Sequence, residues 1–305
     1  MNLPVFLTAL ASLGAMSAPT QIPVDDPPIQ CADCAEWNQP QAPFNLHGRS
    51  YYVGVRGLSS VLIQTSTGLI LLDGGLPQSA PLIEANIKSL GFRIEDIKLI
   101  VNSHAHYDHA GGIARLRRDS GAVVAASPSG AQALMSGGPV KDDPQYGSDG
   151  SGGAFPPVAQ VRIVKNGEDL RVGDTAITAH FTPGHTPGST TWTWSSCTVD
   201  GCLNLVYADS LTPVSTGEFR FLGDQNHPDM SDTFRRSMAT VGALPCDIML
   251  STHPGASALF DRLKRRDLSA VPDPLIDKNA CRAYAESANR RLDERLNTER
   301  AQAAK

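Results

Sequence analysis

Three short runs rich in Val, Ile, Leu and Tyr (YYVGV from Tyr51, SSVLIQTS and GLILLDG) follow one another, separated by glycine. That spacing predicts an antiparallel meander of strands. Over 78–91 the period changes, because Leu82, Ile83, Ile87 and Leu90 recur at helical spacing and Gly91 closes the segment. IKLIVNS (97–103) reads as a buried strand, and the chain leaves it directly into HAHYDHAGG. AVVAAS (122–127) and PSGAQALMSG (128–137) repeat the strand-then-helix unit. Beyond a segment dominated by Gly, Pro, Ser and Asp at 138–157, the runs VAQVRIVK, TAITAHFT, STTWTWSS and LNLVYAD form a second meander. A helix at about 231–244, the strand DIMLSTH (247–253), a helix at 256–266 and a charged helix over 278–305 complete the pattern. Each half reads as strands followed by strand–helix alternation. The expected architecture is α/β: an αβ/βα four-layer sandwich of two mixed β-sheets with helices on the outer faces.

Composition narrows this picture. The 305 residues are 41% hydrophobic and 19% charged, enough apolar mass for one large core. Lys and Arg number 26 against 31 Asp and Glu, for a net charge of −5, so the basic footprint of a nucleic-acid binder is missing. Residues 3–16 are apolar and end in the small-x-small pattern Ala15-Met16-Ser17, which reads as an export signal over 1–17; a buried N-terminal helix is the alternative, since no Lys or Arg precedes the run. Residues 18–45 are Pro- and Gln-rich and read as an extended arm, leaving 46–305 as a single domain. No other run approaches the ~18 apolar residues that span a bilayer. The expectation is a periplasmic chain free of the membrane after cleavage.

Six cysteines, an even number, suit an oxidising compartment. Cys197 and Cys202 flank a turn-like TVDG, Cys246 and Cys281 could tether the last helix, and Cys31 and Cys34 remain as a CADC pair. With no second such pair and no βαβ context, that pair reads as a disulfide rather than a zinc or redox site.

The chemistry concentrates in His104-Ala105-His106-Tyr107-Asp108-His109, directly after a hydrophobic strand. Two histidines at i and i+2 of an extended stretch point to the same side and can converge on one ion, while Asp108 and His109, on the turn that starts a helix, can face a second. Each ion would need one more ligand, and His185 in TPGHTPGS and His253 in STHPG are the sources. His47, His180 and His227 sit in ordinary contexts. Gln145, Tyr146 and Phe155 in the long loop and Trp37 in the arm could border a substrate groove.

This constellation resembles the metallo-β-lactamase superfamily across nearly the whole of 35–290. EWNQP, YYVGVRGLSSVLIQT, ILLDGGL, GHTPGST and YADSLTP together resemble its class B, subclass 3 members. The resemblance implies two Zn2+ per chain, the first held by His104, His106 and His185 and the second by Asp108, His109 and His253. It implies that Asp73 supports the metal loop through hydrogen bonds. In lactonases, glyoxalase-type thioesterases and RNA-processing relatives a bridging carboxylate stands where this chain reads Ala208-Asp209-Ser210. The match to YADSLTP implies instead that Ser210 faces the site, so Asp209 is not a ligand and Ser210 and Thr212 contact substrate; Gln145 of the long loop is the further substrate-binding candidate. Two zinc ions among these ligands leave the site locally cationic, which suits the carboxylate of a β-lactam. The implied activity is zinc-dependent hydrolysis of the β-lactam amide of penicillins, cephalosporins and carbapenems by a monomer, with Asp108 as the catalytic carboxylate and antibiotic resistance as the outcome. A lactonase or thioesterase of the same superfamily, and a non-catalytic periplasmic zinc-binding protein, are the alternatives.

Overall fold

The run Leu69–Leu72 is apolar at every position because its strand is covered on both faces. In the computed structural model, which describes residues 26–147, 153–217, 219–225, 227–268 and 272–304, Leu69 and Leu71 pack under helices while Ile70 and Leu72 face a second sheet. The export segment expected over 1–17 lies outside the described residues, as does the start of the arm.

The first sheet runs in sequence order through β1 (Phe44–His47), β2 (Ser50–Tyr52), β3 (Val61–Gln64), β4 (Leu69–Leu72), β5 (Ile97–Val101), β6 (Val123–Ala126) and β7 (Val161–Ile163). Pairing is antiparallel as far as β4 and parallel from there on. The second sheet contains β8 (Asp169–Val172), β9 (Thr175–Phe181), β10 (Thr190–Thr198), β11 (Gly201–Ala208) and β12 (Ile248–Ser251), in the order β12-β11-β10-β9-β8. Only its β11–β12 pair is parallel. The helices are α1 (Cys34–Trp37), α2 (Ala80–Ser89), α3 (Tyr107–Ala110), α4 (Ile113–Ser120), α5 (Pro128–Ser136), α6 (Ser231–Ala243), α7 (Leu259–Asp267) and α8 (Ala280–Ala303).

Three apolar interfaces make the four layers. Ile83, Ile87, Ile113, Leu116 and Leu134 of α2, α4 and α5 cover the first sheet. Trp192, Trp194, Tyr207 and Leu250 meet Ile70, Leu72 and Val101 between the sheets. Phe234, Met238, Val241, Ala288 and Leu292 of α6 and α8 cover the second sheet. Each large side chain buried here contributes roughly 1.5–3 kcal/mol relative to exposure. The expected sandwich of mixed sheets is the observed one.

Local differences have local causes. β1 begins at Phe44, inside the range expected to be arm, because Phe44 stacks on Tyr52 of the neighbouring strand with ring centroids 5.0 Å apart. The YYVGV strand stops at Tyr52, whose hydroxyl donates to the carbonyl of Val55 (2.6 Å) and holds a tight turn. β8 buries only Leu170, too little apolar pattern to be read from sequence. The helix after the histidine run is broken into α3 and α4 where Gly111 and Gly112 pass the 74–77 segment; a Cβ would lie 2.4 Å from Pro77 Cδ at Gly111 and 2.3 Å from the Gly74 carbonyl oxygen at Gly112. The arm is pinned by a reciprocal pair of hydrogen bonds between the Ile29 backbone and the Gln78 side chain (3.1 and 2.8 Å). Disulfides join Cys31–Cys34, Cys197–Cys202 and Cys246–Cys281. Among the described residues no helix is long and apolar enough to cross a membrane.

Candidate metal centre

Both sheets point strand ends at one edge of the sandwich, and His104, His106, Asp108, His109, His185 and His253 gather there. β4 ends at Leu72 and the next residue, Asp73, takes a left-handed backbone conformation (φ 58°) that turns its carboxylate inward. That carboxylate is fully buried and accepts four hydrogen bonds: from Asn102 Nδ2 (2.9 Å), the Ser103 amide (2.7 Å), Ser103 Oγ (2.6 Å) and Tyr207 OH (2.9 Å). Burial lifts its carboxyl to about 6, although His109 and these donors pull the other way. The backbone at 102–103, which leads into His104, is thereby tied to β4 and to the second sheet.

His104, His106 and His185 bring ring nitrogens within 4.8 Å of one another, and so do the ligand atoms of His104, Asp108 and His109. The second cluster extends to His253. His109 Nε2 lies 3.2 Å from His253 Nε2 and 3.1 Å from Asp108 Oδ2, and His253 Nε2 lies 3.2 Å from the same oxygen. Ligands at 2.0–2.1 Å around a tetrahedral zinc are separated by about 3.3 Å, so this triangle has the size of one face of such a site.

The outer atoms of these rings fix their orientation. His104 Nδ1 meets Asp209 Oδ1 at 2.6 Å, His106 Nε2 meets both Asp143 oxygens at 3.1 Å, and His185 Nδ1 donates to the Thr212 carbonyl at 2.9 Å. With the proton on the outer nitrogen, the inner one is left with a lone pair. His104 Nε2 is buried and has no hydrogen-bond partner among the described residues, an orphan acceptor that a cation would satisfy. Burial, reinforced by neighbouring imidazoles, holds His104 well below the usual histidine range and pushes His185 down to about 3, so both rings are neutral, the form in which an imidazole can bind a metal. Burial alone would also lower His106, but the Asp143 carboxylate outweighs it and raises that ring. At Asp108 burial is likewise overcome, by His109 and His253, which hold the carboxyl well below its usual range. The donor set, five imidazoles and one carboxylate, suits zinc.

Residues 53–200 match the family model of the metallo-beta-lactamase superfamily. Over nearly its full length the chain is similar to solved structures. Rm3 metallo-beta-lactamase is 50% identical with a TM-score of 0.85, covering 89% of this chain and 100% of that one. MEM-A1, a subclass B3 metallo-beta-lactamase isolated from a soil metagenome library, is 48% identical with a TM-score of 0.84, covering 87% and 99%. The chain belongs to the subclass B3 metallo-β-lactamases. SMB-1, solved in complex with mercaptoacetic acid, is a further relative at 40% identity and TM-score 0.81, covering 86% and 99%.

In this metallo-β-lactamase His106, Asp108, His185 and His253 line a cleft of about 410 Å³ whose walls include Trp37, Gln145, Ser210, Thr212 and Thr252, with His104 and His109 buried beneath. Gln145 Nε2 lies 3.5 Å from both His106 Nδ1 and His185 Nε2. Ser210 Oγ is 2.9 Å from Thr252 Oγ1, and Thr212 Oγ1 is 3.2 Å from His185 Nδ1. Two aromatic residues considered for the groove lie elsewhere: Phe155 is buried under α5, and Tyr146 is exposed and does not line the cleft. Asp143 was missed at the sequence level, and its only signal is an acidic residue inside the long Gly- and Pro-rich loop. Asp209, weighed there only as a ligand, stands behind His104 instead.

That position gives a test. Asp209→Asn keeps the shape but removes the charge that favours the Nδ1 proton and makes Nε2 more basic. Zinc affinity should fall about 10–100-fold with the fold retained. Equilibrium dialysis across a zinc series, followed by metal analysis, measures this; unchanged retention of zinc would show the bond to be idle.

Proposed function

We propose that this chain hydrolyses the β-lactam amide of penicillins, cephalosporins and carbapenems at two zinc ions, conferring resistance to these antibiotics. The observation that carries the reading is the pair of converged ligand groups, His104–His106–His185 and Asp108–His109–His253, on the floor of one open cleft. Bound zinc supplies Lewis-acid polarisation of the amide carbonyl and a water acidified to a pKa near ~7.

The protein's own groups do the rest. Asp108, kept ionised by His109 and His253, turns Oδ2 toward those rings, and its other oxygen can accept a hydrogen bond from the attacking water and so orient it. The Ser210 and Thr212 hydroxyls can donate to the carboxylate beside the fused ring, and the Gln145 amide sits where it can meet the substrate above His106 and His185. The buried partners Asp209, Asp143 and the Thr212 carbonyl keep His104, His106 and His185 each in one tautomer and rotamer. Binding and orientation fall to the cleft walls. The competing lactonase or thioesterase reading would want a carboxylate bridging the ligand groups, but the nearest candidate, Asp209, is engaged behind His104. Three disulfides suit an oxidising compartment, and with the apolar segment over 3–16 they support export to the periplasm, where the protein would act as a monomer.

Steady-state rates on a penicillin, a cephalosporin, a carbapenem and an acyl-homoserine lactone, with zinc counted per chain, test the reading. Turnover of the β-lactams, loss of it in chelator and recovery with two equivalents of zinc are expected. Inertness to every β-lactam, or faster cleavage of the lactone, would sink it.

A further inference from the structure

Of the five imidazoles in the two ligand groups, three have an outer nitrogen bonded to another residue, and His109 is wholly enclosed. His253 differs. Its side chain is 33% exposed and, among the described residues, makes no side-chain hydrogen bond beyond Asp108 and His109. What stands against its ring is Trp37, from the α1 turn of the arm, with centroids 5.2 Å apart and planes tilted by 58°. We propose that Trp37 is a positioning residue for His253, and that the arm thereby sets the affinity of the second metal site.

The surrounding structure is built to hold that contact. Trp37 belongs to a small cluster with Cys34, Val55, Leu58 and Leu76, and its carbonyl accepts the Gly57 amide at 2.9 Å. The same 53–60 turn carries Ser59, whose amide donates to the Thr252 carbonyl (2.8 Å) and whose hydroxyl donates to that of Ser251 (2.7 Å). One turn therefore anchors both the indole and the backbone just before His253. The approach at Gly57 is tight, since a Cβ there would lie 2.5 Å from Trp37 Cα and 2.6 Å from Trp37 Cδ1. Glycine at 57 lets the indole reach the imidazole. Where His104, His106 and His185 are oriented by a hydrogen-bond acceptor and His109 by its enclosure, His253 is oriented by an aromatic wall, and without it the exposed ring has rotamers to lose on binding metal.

This inference rests on the two-zinc reading, and its test separates the two. Zinc-free protein is titrated with zinc against a chromophoric chelator, and the cobalt-substituted protein is followed by visible spectroscopy, so that each site is read apart from turnover. Trp37→Ala should weaken the second ion about 10-fold or more and leave the first unchanged, Trp37→Phe should restore most of the loss, and Gly57→Ala should weaken the second ion with the indole still present. Unchanged binding of both ions by Trp37→Ala, with only KM raised, would overturn the inference and leave Trp37 as a groove wall. Equal weakening of both ions in Gly57→Ala would overturn it too. Unsubstituted protein that takes up a single ion would overturn the two-zinc reading itself, and this inference with it.

Discussion

His106→Ala is expected to lower kcat/KM toward a carbapenem by about a thousand-fold or more. The ring contributes one of three nitrogens to its cluster, and Lewis-acid polarisation of a carbonyl is worth several kcal/mol, at a factor of ten in rate for each ~1.4 kcal/mol. His106 lies at the start of α3, at the cleft, outside the apolar interfaces, so the far-UV circular dichroism and the unfolding midpoint of the zinc-free protein should barely move. His180 is the control. It lies on the outer side of the second sheet, with Nε2 2.9 Å from Thr193 Oγ1, and His180→Ala should leave the rate intact. A His106→Ala protein within ten-fold of the parent would mean that hydrolysis does not depend on this cluster.

Asp73→Ala should have the largest effect on stability, a loss of about 4 kcal/mol read from the urea midpoint. Four donors would be stranded in the interior, each costing roughly 1–3 kcal/mol where it finds no new partner, and Ala at φ 58° adds about 1–2 kcal/mol of backbone strain. Rotation of the Ser103 and Tyr207 hydroxyls toward other acceptors offsets part of that total. Asp73→Asn keeps the shape and two of the acceptor positions, so it should fall between parent and Ala. A loss below about 1 kcal/mol for Asp73→Ala would show the 102–103 backbone to be held by other means.

Much of this was legible in the sequence, for a physical reason. His104, His106, Asp108 and His109 come from one hexapeptide, so their convergence follows from local geometry at the end of a strand. His185 and His253 stood out because each lies in a turn containing Gly and Pro after a strand-like run. The partners that orient the rings did not, since Asp143 meets His106 across 37 residues and Asp209 meets His104 across 105. No local pattern encodes such pairings. β1 and β8 escaped notice for the related reason that each is stabilised by its neighbours more than by its own apolar content. Phe155 misled because a loop of polar composition can still plug one aromatic ring into the core, here with its amide bonded to the Gly137 carbonyl at 2.8 Å.

The candidate ligands come from both halves of the sandwich, His104 to His109 from the end of β5, His185 from the β9–β10 connection and His253 from beyond β12. A metal bound among them is therefore a clasp between the sheets, added to their apolar interface and to cross-sheet contacts such as the Arg49–Asp174 ion pair at 2.6 Å. Free zinc at a hundred times the dissociation constant would stabilise the folded chain by about 2.7 kcal/mol per site. The supply of zinc around the protein would then govern its lifetime as well as its rate, and metal starvation would thin the population of enzyme by exposing it to proteolysis before any inhibitor is added.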